Sequence, residues 1–119
     1  MCKSDFRVGG RYHYCMRAPD GQDYWSTGVF QAITPHERIV ATDCFADAEG
    51  NVVPGSYYGM DGYPLELTVI TTFEDLGNGR TRLTINHIGM PHDETRAGAN
   101  SGWNTSLDKL AALLTALQA

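Results

Sequence analysis

Between Arg11 and Ile88 strand signals of period two dominate the chain, interrupted from Asp47 to Tyr63. In "GRYHYCMR", Tyr12, Tyr14 and Met16 hold one parity, while Arg11, His13, Cys15 and Arg17 hold the other. That alternation marks a strand with one buried face. Ala18-Pro19-Asp20-Gly21 supplies a turn, with Pro presetting φ and Gly accepting φ > 0. "YWSTGVFQAIT" continues as the next strand, and Pro35-His36 breaks it. "RIVATDCFA", Arg38 to Ala46, is a third long strand, β-branched and aromatic. "LELTVITTFEDL" and "RTRLTINHIG" flank Asn78-Gly79, a strong hairpin signal. A chain that spends this much of its length on consecutive alternating strands builds an antiparallel meander with one apolar face.

The periodicity then changes. Asp93-Glu94 opens a helical region, and "GWNTSLDKLAALLTALQ" places Trp103, Leu107, Leu110, Leu114 and Leu117 at helical spacing. Asn100 or Ser101 reads as the N-cap, so the expected helix runs from about residue 100 to Gln118. Trp103, Leu107, Leu110 and Leu114 are expected to point into the sheet. One apolar sheet face and one apolar helix stripe cover each other in an α+β two-layer domain. At 119 residues this is a single domain, 1–119.

Composition excludes several classes of function. The formal net charge is -5 and the nine basic residues are scattered, which leaves no footprint for nucleic acid or an anionic membrane. No apolar run reaches spanning length. The polar opening "MCKSDFRVGG" does not read as a signal peptide. Cys2, Cys15 and Cys44 are odd in number and lack CxxC spacing. A reducing cytoplasm is therefore expected.

Few motifs carry chemistry. "RVGGRY" is not a dinucleotide loop, and neither HExxH nor Gly-x-Ser-x-Gly occurs. His87 and His92 straddle a strand end and Pro91, a spacing that does not define a metal site, and neither metal nor cofactor is expected. Asp43 lies mid-strand at the parity of Ile39 and Phe45. It is either a carboxylate in the core, in need of a partner, or a solvent-facing residue if the register is shifted by one. His87 ends the last strand and either lines a pocket mouth or caps backbone groups. Trp25 and Trp103 are core or pocket-lining aromatics. Asp47 to Tyr63, with four glycines and three tyrosines, is too aromatic for a plain connector and reads as a lid over one end of the core.

Taken as a series, these segments resemble a known family. "VGGRY", the strand pair "GVFQAITPHERIV" from Gly28 to Val40, "TFEDLGNGRTRLTINHIGMP" from Thr72 to Pro91 and "GWNTSLDKLAALL" from Gly102 to Leu114 are similar to bacterial proteins related to the activator of heat-shock-protein-ninety ATPase. These belong to the SRPBCC or START-like superfamily. The resemblance implies a helix-grip fold, with a six-stranded antiparallel meander, one long C-terminal helix laid across it and a cavity between them. It also implies that the chain opens in mid-meander, at the family's second strand, without the first strand and two small helices.

The leading expectation from the resemblance is a module that binds a small, mostly apolar molecule between sheet and helix. Tyr12, Tyr14, Met16, Trp25, Met60 and Trp103 are its expected lining, with Asp43 and His87 as polar anchors. A second is an enzyme of polyketide cyclase or hydrolase kind using Asp43 or His87 as acid or base. It loses its candidates if the two lie on opposite faces and gains if they converge within about 3 Å of one pocket point. A third is a self-associating shortened chain without ligand. With the first strand missing, Thr81–Ile88 becomes a free sheet edge, which leads to the expectation of a homodimer. No chaperone partner is expected, since that role belongs to a eukaryotic relative with an additional domain.

Overall fold

The computed structural model describes residues 2–60, 62–90 and 93–118. The fold is α+β: a six-stranded antiparallel open sheet followed by one long helix. The strands are β1 (Cys2–Ser4), β2 (Arg11–Arg17), β3 (Asp23–Thr34), β4 (Arg38–Ala46), β5 (Leu67–Gly77) and β6 (Arg80–Ile88). They lie side by side in chain order, as a meander requires. The chain divides into two compact units, Met1–Gly89 and Met90–Ala119. The first is the sheet and the second the helix, and each has its own logic.

The turns form where the sequence demands positive φ. Asn78 and Gly79 stand at φ 57 and 73, the paired left-handed conformation that closes a tight hairpin between twisted strands. At the other hairpin, the Gly21 N–H donates to the Ala18 carbonyl at 2.9 Å. β1 has only three residues. After Ser4 the chain coils through Asp5–Gly10, where the Gly9 N–H donates to the Phe30 carbonyl at 2.8 Å and the Phe30 N–H to the Gly10 carbonyl at 3.0 Å. This clamp sets the Phe6 ring edge-on against Phe30, centroids 5.1 Å apart.

Register sorts the side chains onto two faces. Tyr12 pairs with Gly28, Tyr14 with Ser26, Phe30 with Ala41, Asp43 with Leu67 and Val69 with His87. Paired residues point the same way. One face therefore carries Tyr12, Tyr14, Met16, Phe30, Ile39, Ala41, Asp43, Phe45, Leu67 and His87. Tyr12, Phe30 and Ala41 form its buried core, with Tyr14, Ile33 and Ile39 packed around them. The opposite face carries Trp25, Thr27, Thr42, Cys44 and Ala46. Ala46 is fully buried there and Thr27 nearly so, and the Thr27 hydroxyl donates to the Tyr12 carbonyl at 2.5 Å.

Two irregularities shape the first face. Pairing between β3 and β4 is interrupted between Thr27↔Cys44 and Phe30↔Ala41. The Val29 N–H there donates to the Thr42 hydroxyl at 2.8 Å, and the Thr42 carbonyl receives the Tyr12 hydroxyl at 2.7 Å. Further along, a bulge shifts the register between Phe30 and Ala32. It returns Ile33, three residues after Phe30, to the Phe30 face opposite Ile39.

The helix α1 (Asp93–Gln118) begins seven residues before the expected Asn100. Neither Asn100 nor Ser101 is its cap. The Ser101 carbonyl is already an interior acceptor, taking the Thr105 hydroxyl at 3.1 Å. Gly98 and Gly102 sit inside the helix, and a cost of about 1 kcal/mol per glycine is tolerable over 26 residues. Among the described residues no helix is long and apolar enough to cross a membrane.

Gly28 is the sharpest packing constraint in the sheet. A Cβ there would strike the Thr42 carbonyl oxygen and stand 2.7 Å from Tyr12 Cε1. The first obstacle is backbone and cannot rotate away. Gly28→Ala is therefore expected to destabilise the fold by about 3 kcal/mol, at the upper end for overpacking. Urea unfolding checks this as a lowered midpoint at unchanged slope. A variant within about 0.5 kcal/mol of wild type would show that the Tyr12 ring does not lie across this glycine.

Candidate functional site

Asp43 is placed by β4 on the aromatic face, half-buried, which resolves the choice that the sequence leaves open. His87 reaches it from β6. Their strands are separated by β5, so the two backbones lie roughly 10 Å apart. The side chains bridge over that strand, and His87 Nε2 stands 2.9 Å from Asp43 Oδ2. The approach is close but does not align as an N–H···O hydrogen bond, so it acts as a charge contact when the imidazole is protonated. The other carboxylate oxygen, Oδ1, lies 3.4 Å from the Tyr12 hydroxyl. That hydroxyl donates mainly to the nearer Thr42 carbonyl.

Tyr12, Asp43 and His87 thus form one polar array set into an apolar face. Burial pushes the Tyr12 hydroxyl far above the ordinary tyrosine range, and the neighbouring Asp43 carboxylate pushes it further. Tyr12 is a neutral donor at physiological pH. Burial likewise raises the Cys44 thiol, with Glu66 adding to the effect. Cys44 is a packed thiol on the opposite face rather than an activated nucleophile.

The remaining nominated residues divide. Tyr14 stacks on Tyr12 at 4.5 Å, and Met16 follows on the same face, exposed and opposite Tyr24. Trp25 does not join them. It pairs with Cys15 and stacks on His13 at 4.7 Å, on the other face. The sequence put it with Tyr12 as an aromatic without regard to register. Met60 belongs to the aromatic segment after β4, and its N–H bonds the Gly55 carbonyl at 2.9 Å. Trp103 lies on α1. His92 is outside the described residues.

The aromatic segment does cover one end of this face. Its 3₁₀ turn, Gly55–Tyr58, carries Tyr58, whose hydroxyl accepts the Trp25 N–H at 3.0 Å and donates to the Ala46 carbonyl at 2.5 Å. Tyr58 and Tyr63 both set their rings against Phe45, at 5.6 and 5.3 Å. Asp43 stands two residues from Phe45, so the polar array sits at the covered end.

The open end holds what the sequence did not nominate. A trough of about 800 Å³ runs over Phe6, Ile33, Ile39 and Phe73, with His36, Asp75, Arg80 and Thr81 among its rim residues. Ile39 and Phe73 were legible as parity mates of Asp43 and of the β5 alternation. Phe6 arrives through the Gly9–Gly10 clamp and Ile33 through the bulge, and neither has a periodic signal.

The Tyr12 hydroxyl makes the array measurable through pH. It stays protonated in the fold where an unfolded tyrosine, with its ordinary value near 10, has ionised. The stability from this difference is fully present below about pH 10 and is lost as the pH rises further. Tyr12→Phe is expected to cost about 1–2 kcal/mol at neutral pH, from the abandoned Thr42 carbonyl. Above pH 10 its stability should fall less steeply than wild type, by up to about 1.4 kcal/mol per pH unit. Urea titrations at neutral and alkaline pH read both effects. Equal alkaline slopes would place the Tyr12 hydroxyl in water.

No curated protein matches the chain. Its fold is shared with solved structures. Protein Ms6760 from Mycobacterium smegmatis superposes with a TM-score of 0.74 at 26% identity, over 95% of this chain and 68% of that one. A protein from Arthrobacter aurescens, solved by NMR in solution, gives 0.61 at 25% identity, over 90% of this chain and 59% of its own length. The arrangement shared with these neighbours is helix-grip-like. The family model described as activator of Hsp90 ATPase homolog 1-like protein matches residues 1–115, and the chain belongs to that family of SRPBCC-type domains.

Proposed function

We propose that the chain is a non-catalytic binding domain that holds a small, mostly apolar molecule on the aromatic face of its sheet. The observation that carries this reading is the trough over Phe6, Ile33, Ile39 and Phe73. Its volume of about 800 Å³ lies within the range of small-molecule sites, which are apolar clefts with a few polar groups at fixed places. Domains of this type often bind hydrophobic ligands, which supports the same reading. Three free cysteines, Cys2, Cys15 and Cys44, suit a reducing cytoplasm as its setting.

A neutral fluorescent probe, N-phenyl-1-naphthylamine, tests the proposal. Wild type is expected to bind it saturably. Phe6 is 57% exposed, and Phe6→Asp places a charge in the trough at modest cost to the fold. It should weaken binding by about tenfold or more, since each 1.4 kcal/mol is a factor of ten. Ile88 is also about half exposed, at 46%, but lies on the opposite face, and Ile88→Asp should change little. Equal losses from the two variants, or none from Phe6→Asp, would remove the trough from the binding site.

The 2.9 Å approach of His87 to Asp43 favours a second reading, acid–base catalysis. A carboxylate that orients an imidazole is a recurrent base arrangement. Neither residue lines the trough, however, and Asp43 is shared with Tyr12. We therefore expect no saturable turnover of p-nitrophenyl acetate or butyrate. Turnover that Asp43→Asn and His87→Gln each reduce by about 100-fold would reverse this ranking.

A further inference from the structure

The trough has a chemically distinct rim, and the rim narrows the class of ligand. Resting on the binding reading above, we propose that the trough takes an amphipathic monocarboxylate. Its head would lie on the Arg80 guanidinium and its chain over Phe6, Ile33, Ile39 and Phe73.

The argument begins with charge pairing. Near the β5–β6 hairpin, Arg82 is committed to Glu74 at 3.2 Å, and Glu74 lies at the parity of the opposite face. Arg80 lines the trough and has no ion pair among the described residues. A guanidinium presents a planar fork of donors that matches a carboxylate in two parallel hydrogen bonds. Thr34, His36 and Thr81 add polar groups at the same rim. Below them the trough wall is mainly apolar, which suits a hydrocarbon chain and gives a second charge nowhere to go.

Asp75 sets the upper limit on head charge. It stands on the rim opposite Thr81, and its Oδ1 accepts the Gly77 N–H at 2.8 Å, which fixes the carboxylate at the turn. A head with one negative charge gains the Arg80 fork and meets one carboxylate at the rim. A phosphate, with a charge near -2, would feel that repulsion nearly twice over. An ammonium head would face the unpaired Arg80. A hydroxyl head gains only ordinary hydrogen bonds.

Isothermal titration of the full chain with decanoate, decanol, decylamine and decyl phosphate tests each step. Decanoate is expected to bind about tenfold tighter than decanol, with decyl phosphate and decylamine weaker than decanoate. Arg80→Gln should bring decanoate down to the level of decanol and leave decanol unchanged. Arg82→Gln, two residues away but already paired with Glu74 and not among the residues lining the trough, should keep the preference. Arg80 is exposed, and a melting curve checks that its variant folds. Binding of decanol and decanoate with equal affinity, or a preference that survives Arg80→Gln, overturns the proposal and leaves the apolar trough standing. Failure of all four compounds to bind overturns the trough as a ligand site, and this proposal with it.

Discussion

The Tyr12 hydroxyl reaches across one strand to the backbone of the next but one. It starts on β2, passes over β3 at Gly28 and ends on the Thr42 carbonyl of β4, at 2.7 Å. Several features follow from that single reach. Gly28 must lack a side chain because the ring occupies the place of its Cβ. The β3–β4 ladder is interrupted beside it, between Thr27↔Cys44 and Phe30↔Ala41. The Val29 N–H is satisfied instead by the Thr42 hydroxyl. The ring then lies flat on the sheet and becomes the floor on which Phe30 and Tyr14 pack. A buried hydroxyl with a backbone partner is a strong determinant of position, because breaking it exposes two polar groups to an apolar interior at once.

The same reach explains how a carboxylate is tolerated on this face. Asp43 follows Thr42, and its Oδ1 faces the Tyr12 hydroxyl while Oδ2 faces His87. A half-buried carboxylate with partners at both oxygens is stable where an isolated one is not. The array joins β2, β4 and β6 through side chains, across strands that do not pair with one another. Tyr58 does similar work at the strand ends, joining the Trp25 N–H to the Ala46 carbonyl through one hydroxyl. Polar side chains at the covered end of this face connect strands that are not neighbours in the sheet.

The parts of this architecture that obey a period were legible in the sequence. The alternation in Arg11–Arg17, the Arg38–Ala46 strand and the Asn78-Gly79 hairpin came out as read, and with them the order of the sheet. Family resemblance, rather than periodicity, supplied the helix-grip expectation. What was not legible arises where one register meets another. Trp25 and Tyr12 lie on neighbouring strands, and only the pairing Tyr12↔Gly28 shows that they face opposite ways. The bulge after Phe30 carries no residue that announces it, yet it alone turns Ile33 into the trough. The meeting of Asp43 and His87 depends on two successive registers, β4 on β5 and β5 on β6, each fixed only by three-dimensional pairing. The early start of α1 was hidden by Gly98 and Gly102, whose local preference is outweighed by the continuity of a long helix.

The two ends of the aromatic face differ for a physical reason that bears on where a ligand can sit. Toward Phe45 the polar array and the rings of Tyr58 and Tyr63 fill the space, so another molecule there would have to displace contacts already made. Toward Ile39, roughly 13 Å along β4 from Asp43, the strands of the sheet unit are joined by short connections. The turn at Pro35-His36 and the hairpin at Asn78-Gly79 are both tight and stand at its margin. Short turns cannot cover the side chains between them, so Phe6, Ile33, Ile39 and Phe73 stay accessible as a group. The sheet's own topology, with a long aromatic connection at one end and tight turns at the other, therefore assigns packing to the first end and leaves an apolar trough at the second.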